Sequence, residues 1–127
     1  MAKSRDYSCA EGCPVEATLD LMDGKWKGVI LYHLKKDGVL RFNELGRRLT
    51  GITQRMLTKQ LRALEDDGLV IRKVYAEVPP RVEYSLSEIG ESLRPVIETL
   101  RAWGEGHQQR LSCAPAHVSA EAPDRAA

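Results

Sequence analysis

The segment SCAEGCPVE, residues 8–16, carries two of the chain's three cysteines, Cys9 and Cys13, with three residues between them. Thiols at such a spacing can hold a metal, pair with each other, attack a substrate or an oxidant, or simply pack. Together with Cys113 and His107 or His117 they would supply three or four zinc-type ligands. The spacing fits no common closed zinc site, so no metal is expected. A disulfide oxidoreductase would place Cys-x-x-Cys beside a βαβ pattern, and the chain has neither. His33, His107 and His117 show no nucleophile–base–orienter arrangement, so neither catalysis nor a cofactor is expected. An odd cysteine count also argues against a stable disulfide framework. Two readings remain for Cys13. It precedes Pro14, which suits an N-cap with proline at the first helical position. There the positive end of the helix dipole favours the thiolate, the form that attacks oxidants and electrophiles. The alternative is a small buried thiol that packs the first helix against a dimer helix. Cys9 and Cys113 are at most resolving thiols.

Which reading holds depends on the elements that carry these residues. The chain has 127 residues, 43% of them hydrophobic and 29% charged, the balance of one soluble globular domain. Its apolar runs are only a few residues long, too short to span a membrane. The start, MAKSRDYSCAEG, has no apolar core of a signal peptide, so a cytoplasmic location is expected. The net charge is only +1. The centre departs from that balance: from Arg41 to Arg81 nine Lys/Arg face five Asp/Glu. A basic centre in a near-neutral chain points to a polyanionic partner.

Residues 1–12 read as a flexible arm, 13–112 as the folded domain, and 113–127, rich in Ala and Pro, as a disordered tail. Within the domain, VEATLDLM forms a short helix that Asp23-Gly24 ends. A second helix runs from about Lys25 to Lys36, with Trp26, Val29, Ile30 and Leu34 on one face. VLRF can add a short strand to a small sheet. Asn43 to Leu49 is a third helix and TGIT a turn. Thr53 caps a fourth helix that ends near Asp67, with Gly68 at the C-terminal glycine position. LVIRKVYAEV and RVEYSL are β-rich and form a hairpin whose tip holds Pro79-Pro80. Ser87 caps a long last helix reaching about Leu111.

Helix–turn–helix followed by a hairpin is the layout of a winged-helix DNA-binding domain. In the fourth helix Leu57, Leu61 and Leu64 cluster on one side, and Arg55, Thr58, Lys59 and Arg62 on the other. A major groove admits one such helix, and an arginine can read a guanine edge with two hydrogen bonds. Gln54 and Arg55 are best placed for bases. Thr53, Thr58, Lys59 and the helix N-terminus suit phosphates, with Arg62 on the same face. Arg41 belongs to the same basic centre, and Arg81 follows the hairpin tip, where a wing would touch the duplex. In the last helix Leu86, Leu93, Leu100 and His107 recur every seven residues, beside Ile89, Val96 and Trp103. Such a seam suits pairing with a second copy, through Leu93, Val96, Leu100 and Trp103. Pro95 should kink or interrupt the helix.

Three stretches carry a resemblance over Cys13 to Trp103: CPVEATLDLMDGKWKGVILYHL, RFNELGRRLTGITQRMLTKQLRALEDDGLV, and VPPRVEYSLSEIGESL with LRAWG. They resemble the HxlR-type winged-helix transcriptional regulators, relatives of the MarR group. The resemblance implies a mainly helical α+β fold: a winged helix-turn-helix with a small β-hairpin and N- and C-terminal dimerisation helices. It implies a homodimer on a palindrome-like operator of double-stranded DNA. The reading helix would be Gln54 to Arg62, and the wing would surround Pro79 to Arg81. Several members sense quinones, aldehydes, oxidants or hypochlorite through a cysteine just before the first helix, the position of Cys13. Two other classes stay open: a regulator answering a non-covalent small molecule in a cleft between dimer helix and DNA-binding core, and a thiol enzyme without DNA binding.

Overall fold

A computed structural model describes residues 13–113. The expected arm of residues 1–12, with Cys9, and the expected tail after Cys113, with His117, lie outside the described residues. In chain order the elements are α1 (Pro14–Leu21), α2 (Lys27–Asp37), β1 (Val39–Arg41), α3 (Phe42–Arg48), α4 (Gln54–Asp66), β2 (Val70–Tyr75), β3 (Arg81–Leu86), α5 (Glu88–Glu91) and α6 (Arg94–Cys113). The chain divides into two units, with the boundary between Arg94 and Pro95.

In the first unit three strands form an antiparallel sheet in the order β1-β3-β2. The VLRF strand survives despite its length because β3 pairs with it throughout: Val39 lies opposite Ser85, Leu40 opposite Tyr84, and Arg41 opposite Glu83. On its other side β3 pairs with β2 from Val70–Leu86 to Tyr75–Arg81. Alternation then sends Leu40, Val70, Tyr84 and Leu86 to one face of the sheet, where all four are buried. Beneath them lie Ile30, Leu31 and Leu34 of α2, Leu45 of α3, and Leu57, Leu61 and Leu64 of α4, all almost completely buried. This shared core fixes α3 and α4 against the sheet.

Two local junctions hold the reading helix in its frame. Gly68 adopts φ +81°, the left-handed conformation open to glycine, and Leu69 N–H returns to Leu64 C=O at 3.0 Å to close α4. Ser87 Oγ then donates to Gly68 C=O at 2.5 Å and accepts from Gly90 N–H at 3.0 Å. A side chain on Gly90 would meet the Leu69 carbonyl oxygen at 2.2 Å, so only glycine lets α5 close on the turn between reading helix and hairpin.

Several sequence expectations change. On α2 the buried partner is Leu31, while Val29 is exposed. The core-facing stripe is therefore shifted from the one that spacing suggested. Leu86 belongs to β3, not to a helical seam. The last helix is also not continuous from Ser87. α5 stops at Glu91, and α6 starts again at Arg94. Pro95 has no N–H to continue the ladder back to Glu91, where α5 ends, which accounts for a break at this point. Leu93, expected at a dimer seam, sits in that break and is buried within the chain itself.

Candidate nucleic-acid interface

The exposed face of α4 is set by its two neighbours, the cap and the core. Thr53 is the N-cap, and its Oγ1 accepts the Met56 N–H at 3.0 Å. The tight turn before it closes through Ile52 N–H to Leu49 C=O at 3.1 Å. With Leu57, Leu61 and Leu64 held inside, Gln54, Arg55, Lys59 and Arg62 are exposed and Thr58 half-buried. Arg55, Lys59 and Arg62 make no ion pair among the described residues. Their charges are therefore uncompensated along one side of a helix of 13 residues.

The N-terminal end of α4 also borders a shallow crevice of about 320 Å³. Phe42, Asn43, Gly46 and Arg47 of α3 line it, with Ile52, Thr53, Gln54 and Leu57. Thr53 and Gln54 thus meet a second element, and the exposed Arg47 adds a cation there that spacing alone did not single out. Arg41 is exposed at the start of α3, where its N–H donates to Glu44 Oε1 at 2.8 Å. Arg48, also in the basic centre, is paired instead with Asp37 at 3.3 Å.

The hairpin departs from expectation at Arg81. Its guanidinium carbon lies 3.9 Å from the centre of the Tyr75 ring. One end of the guanidinium is 3.3 Å from Glu77 and the other 3.6 Å from Glu83, and the side chain is only 28% exposed. A cation flanked by two carboxylates and stacked on a ring is not a free wing charge. The exposed cations of the hairpin are Arg72 and Lys73 on β2, and the Lys73 ammonium lies 5.1 Å from the centre of the same Tyr75 ring. They lie inside the apolar-looking run LVIRKVY, where β-propensity masked them.

Cys13 is the N-cap of α1. Its Sγ accepts the Glu16 N–H at 3.3 Å, and the residue is exposed. Within the chain, then, Cys13 is not the buried packing thiol. Nearby in sequence, Lys27 pairs with Asp23 at 3.1 Å and the Lys25 ammonium lies over the Trp26 ring. Cys113 is the last residue of α6. No group of three or more His, Cys, Asp or Glu able to hold a metal occurs among the described residues. No helix among them is long and apolar enough to cross a membrane.

In the second unit, α6 exposes Val96, Leu100, Trp103 and Leu111. Trp103 is 63% exposed and stacks on His107 at 4.8 Å. Arg101 of α6 is paired with carboxylates: it reaches Glu98 at 2.6 Å and Glu105 at 3.0 Å. These carboxylates hold its guanidinium more firmly protonated than usual.

A tight turn, a capped helix with a cationic outer face, and an antiparallel hairpin define a winged helix-turn-helix DNA-binding protein. Residues 21–112 match the family model of the HxlR-like helix-turn-helix, and the chain belongs to that family. It is 55% identical over 118 residues to the uncharacterized HTH-type transcriptional regulator YdeP of Bacillus subtilis, covering 91% of each chain. Among solved structures it resembles the redox regulator HypR in its reduced form, at 53% identity and TM-score 0.74, covering 80% of this chain and 100% of that one. The oxidized form of HypR matches at 57% identity and TM-score 0.70, covering 74% and 96%. Reduced YodB, a transcriptional regulator from B. subtilis, matches at 36% identity and TM-score 0.64, covering 73% and 91%. The protein is a helix-turn-helix transcriptional regulator that binds DNA, not an enzyme.

Proposed function

We propose that the protein binds a palindrome-like operator as a homodimer and that oxidants or electrophiles regulate it through Cys13. The observation that carries the DNA contact is the cationic face of α4, unpaired among the described residues. Gln54 and Arg55, at the end nearest the tight turn, read base edges. Thr53, Thr58, Lys59 and Arg62, with Arg41 beside α3, hold phosphates. The apolar stripe Val96, Leu100, Trp103 and Leu111 on α6 supports pairing with a second copy, which would present two reading helices to a two-fold site. Leu93 has no part in that seam, because it is buried in the chain's own core.

For regulation, the supporting observation is an exposed Cys13 sulfur that accepts a helix-terminal N–H. Redox regulation in HypR and the existence of a diamide-treated form of YodB make thiol chemistry the natural reading for this relative. An oxidant would take the thiolate to a sulfenic acid, which condenses with a second thiol to release water and form a disulfide. Cys9 and Cys113 are the chain's candidates for that second thiol. The test is operator binding with and without diamide, in wild-type protein and in Cys13→Ser. Wild-type affinity should change on treatment while Cys13→Ser does not respond. An equal response in both would remove Cys13 from the mechanism.

A further inference from the structure

The hairpin contains three cations, and the structure divides them into two kinds. Arg81 is enclosed: Tyr75 lies under its guanidinium at 3.9 Å, Glu77 stands at 3.3 Å and Glu83 at 3.6 Å. Register explains the arrangement, since Tyr75 pairs directly with Arg81 and Lys73 with Glu83 on the same side of the hairpin. The contacts tie the last residue of β2 to the first of β3, across the base of the loop at residues 76–80. Glu77 lies within that loop, so its link to Arg81 also restrains the loop itself. Arg72 and Lys73 differ from Arg81. Both are exposed, and neither is ion-paired among the described residues.

We propose that Arg81 is a positioning residue that holds the wing, and that the wing's phosphate contacts come from Arg72 and Lys73. The inference rests on the reading of α4 and the hairpin as the DNA face. A phosphate-bound Arg81 would have to leave two carboxylates and an aromatic ring, and Glu77 and Glu83 would then repel the same phosphates. Arg72 and Lys73 lose no ion pair when they meet a phosphate. Lys73 can reach one while its stem stays along Tyr75, because long cationic side chains pack their carbons and extend their heads.

Salt dependence separates the two roles, because each phosphate neutralised adds about 0.9 to the slope of log affinity against log salt. The full-length protein is titrated, across a range of KCl concentrations, with a duplex that it selects from a random pool. Arg72→Gln and Lys73→Gln should each lower the slope by about 0.9. Arg81→Gln should weaken binding at every salt concentration by roughly three- to tenfold, the scale of a lost cation–π contact, with the wild-type slope. Tyr75→Leu, which changes no charge, should give the same loss at the same slope. The double variant Tyr75→Leu/Arg81→Gln should be no worse than either single one, since both remove one clamp. Arg81→Lys should recover part of the affinity, through the ion pairs but not the planar stack. If Arg81→Gln does not fold, Arg81→Lys and Tyr75→Leu make the same comparison. A slope lowered by about 0.9 in Arg81→Gln, with wild-type binding by Tyr75→Leu, would make Arg81 a phosphate contact and overturn the proposal. Unchanged slopes in both Arg72→Gln and Lys73→Gln would overturn the assignment of the wing contacts. Lys59→Gln, at a phosphate-holding position of α4, is the control: if its slope is also unchanged, the reading of α4 as the DNA face fails instead.

Discussion

Helices α4 and α6 are both amphipathic and both rich in cations, yet the structure treats their charges in opposite ways. On α4, Arg55, Lys59 and Arg62 stand exposed without carboxylate partners among the described residues. On α6, Arg101 lies between Glu98 and Glu105. The apolar faces are reversed as well. Those of α4 are buried, from Leu57 to Leu64, whereas α6 leaves Val96, Leu100 and Trp103 exposed. A helix that hides its leucines and exposes unpaired cations is built for a polyanion. One that holds Arg101 between two carboxylates and exposes an apolar stripe suits another protein surface instead. The amino-acid types are similar, and the pairing state distinguishes the two roles.

The contrast can be broken most forcefully in the core. Leu61→Ala should destabilise the fold by about 2–5 kcal/mol, the range for a fully buried leucine, in urea unfolding followed by circular dichroism. Leu100→Ala, at a half-exposed position, should lose far less stability in a monomeric background. Equal losses would erase the distinction between the two helices. On the α6 side, Trp103→Glu places a charge in the exposed stripe. Sedimentation should shift toward monomer, with the unfolding transition of the chain retained. A monomeric wild type would remove α6 as a pairing surface. On the α4 side, Arg55→Ala should lose about 1–3 kcal/mol of discrimination between selected and base-substituted duplexes. Retained preference in a gel-shift titration would assign base reading elsewhere on the helix.

The smallest expected effect is on pH dependence. Burial and the nearby Arg48 hold the His33 imidazole below its ordinary range, with Lys36 adding to the shift and Asp37 opposing it. The neutral form is thus favoured in the folded state, so the unfolded chain binds more protons as pH falls through about 6.5. Stability from this group is full above that value and declines below it toward the lower folded-state pKa. His33→Gln should flatten that part of the stability curve, read as the midpoint of urea unfolding from mildly acidic to neutral pH.

Much of the fold was legible in the residue order. Pro14, Asp23-Gly24, Thr53 and Gly68 mark helix ends by backbone chemistry that acts within a few residues. The leucine spacing of α4 fixes which side turns inward. The C-terminal segment was less legible, because a seven-residue repeat does not reveal whether its members share one helix. Leu86 falls in a strand, Leu93 in a break and only the later members in α6. The wing was read in part: its hairpin and proline-containing tip follow from composition, but the role of Arg81 does not.

The sequence by itself determined the local elements, the basic centre and the cap position of Cys13, because these depend on neighbours only a few residues away. It also carried the family resemblance, which the match over residues 21–112 bears out. Only the tertiary structure decided which charges remain available. Arg81 meets Tyr75, Glu77 and Glu83 through strand register and a folded-back loop, and Arg48 meets Asp37 across two helices. It likewise decided that Cys13 is exposed within the chain and Leu93 is not. Pairing and burial depend on which residues meet in space, and a motif of a few residues does not specify that.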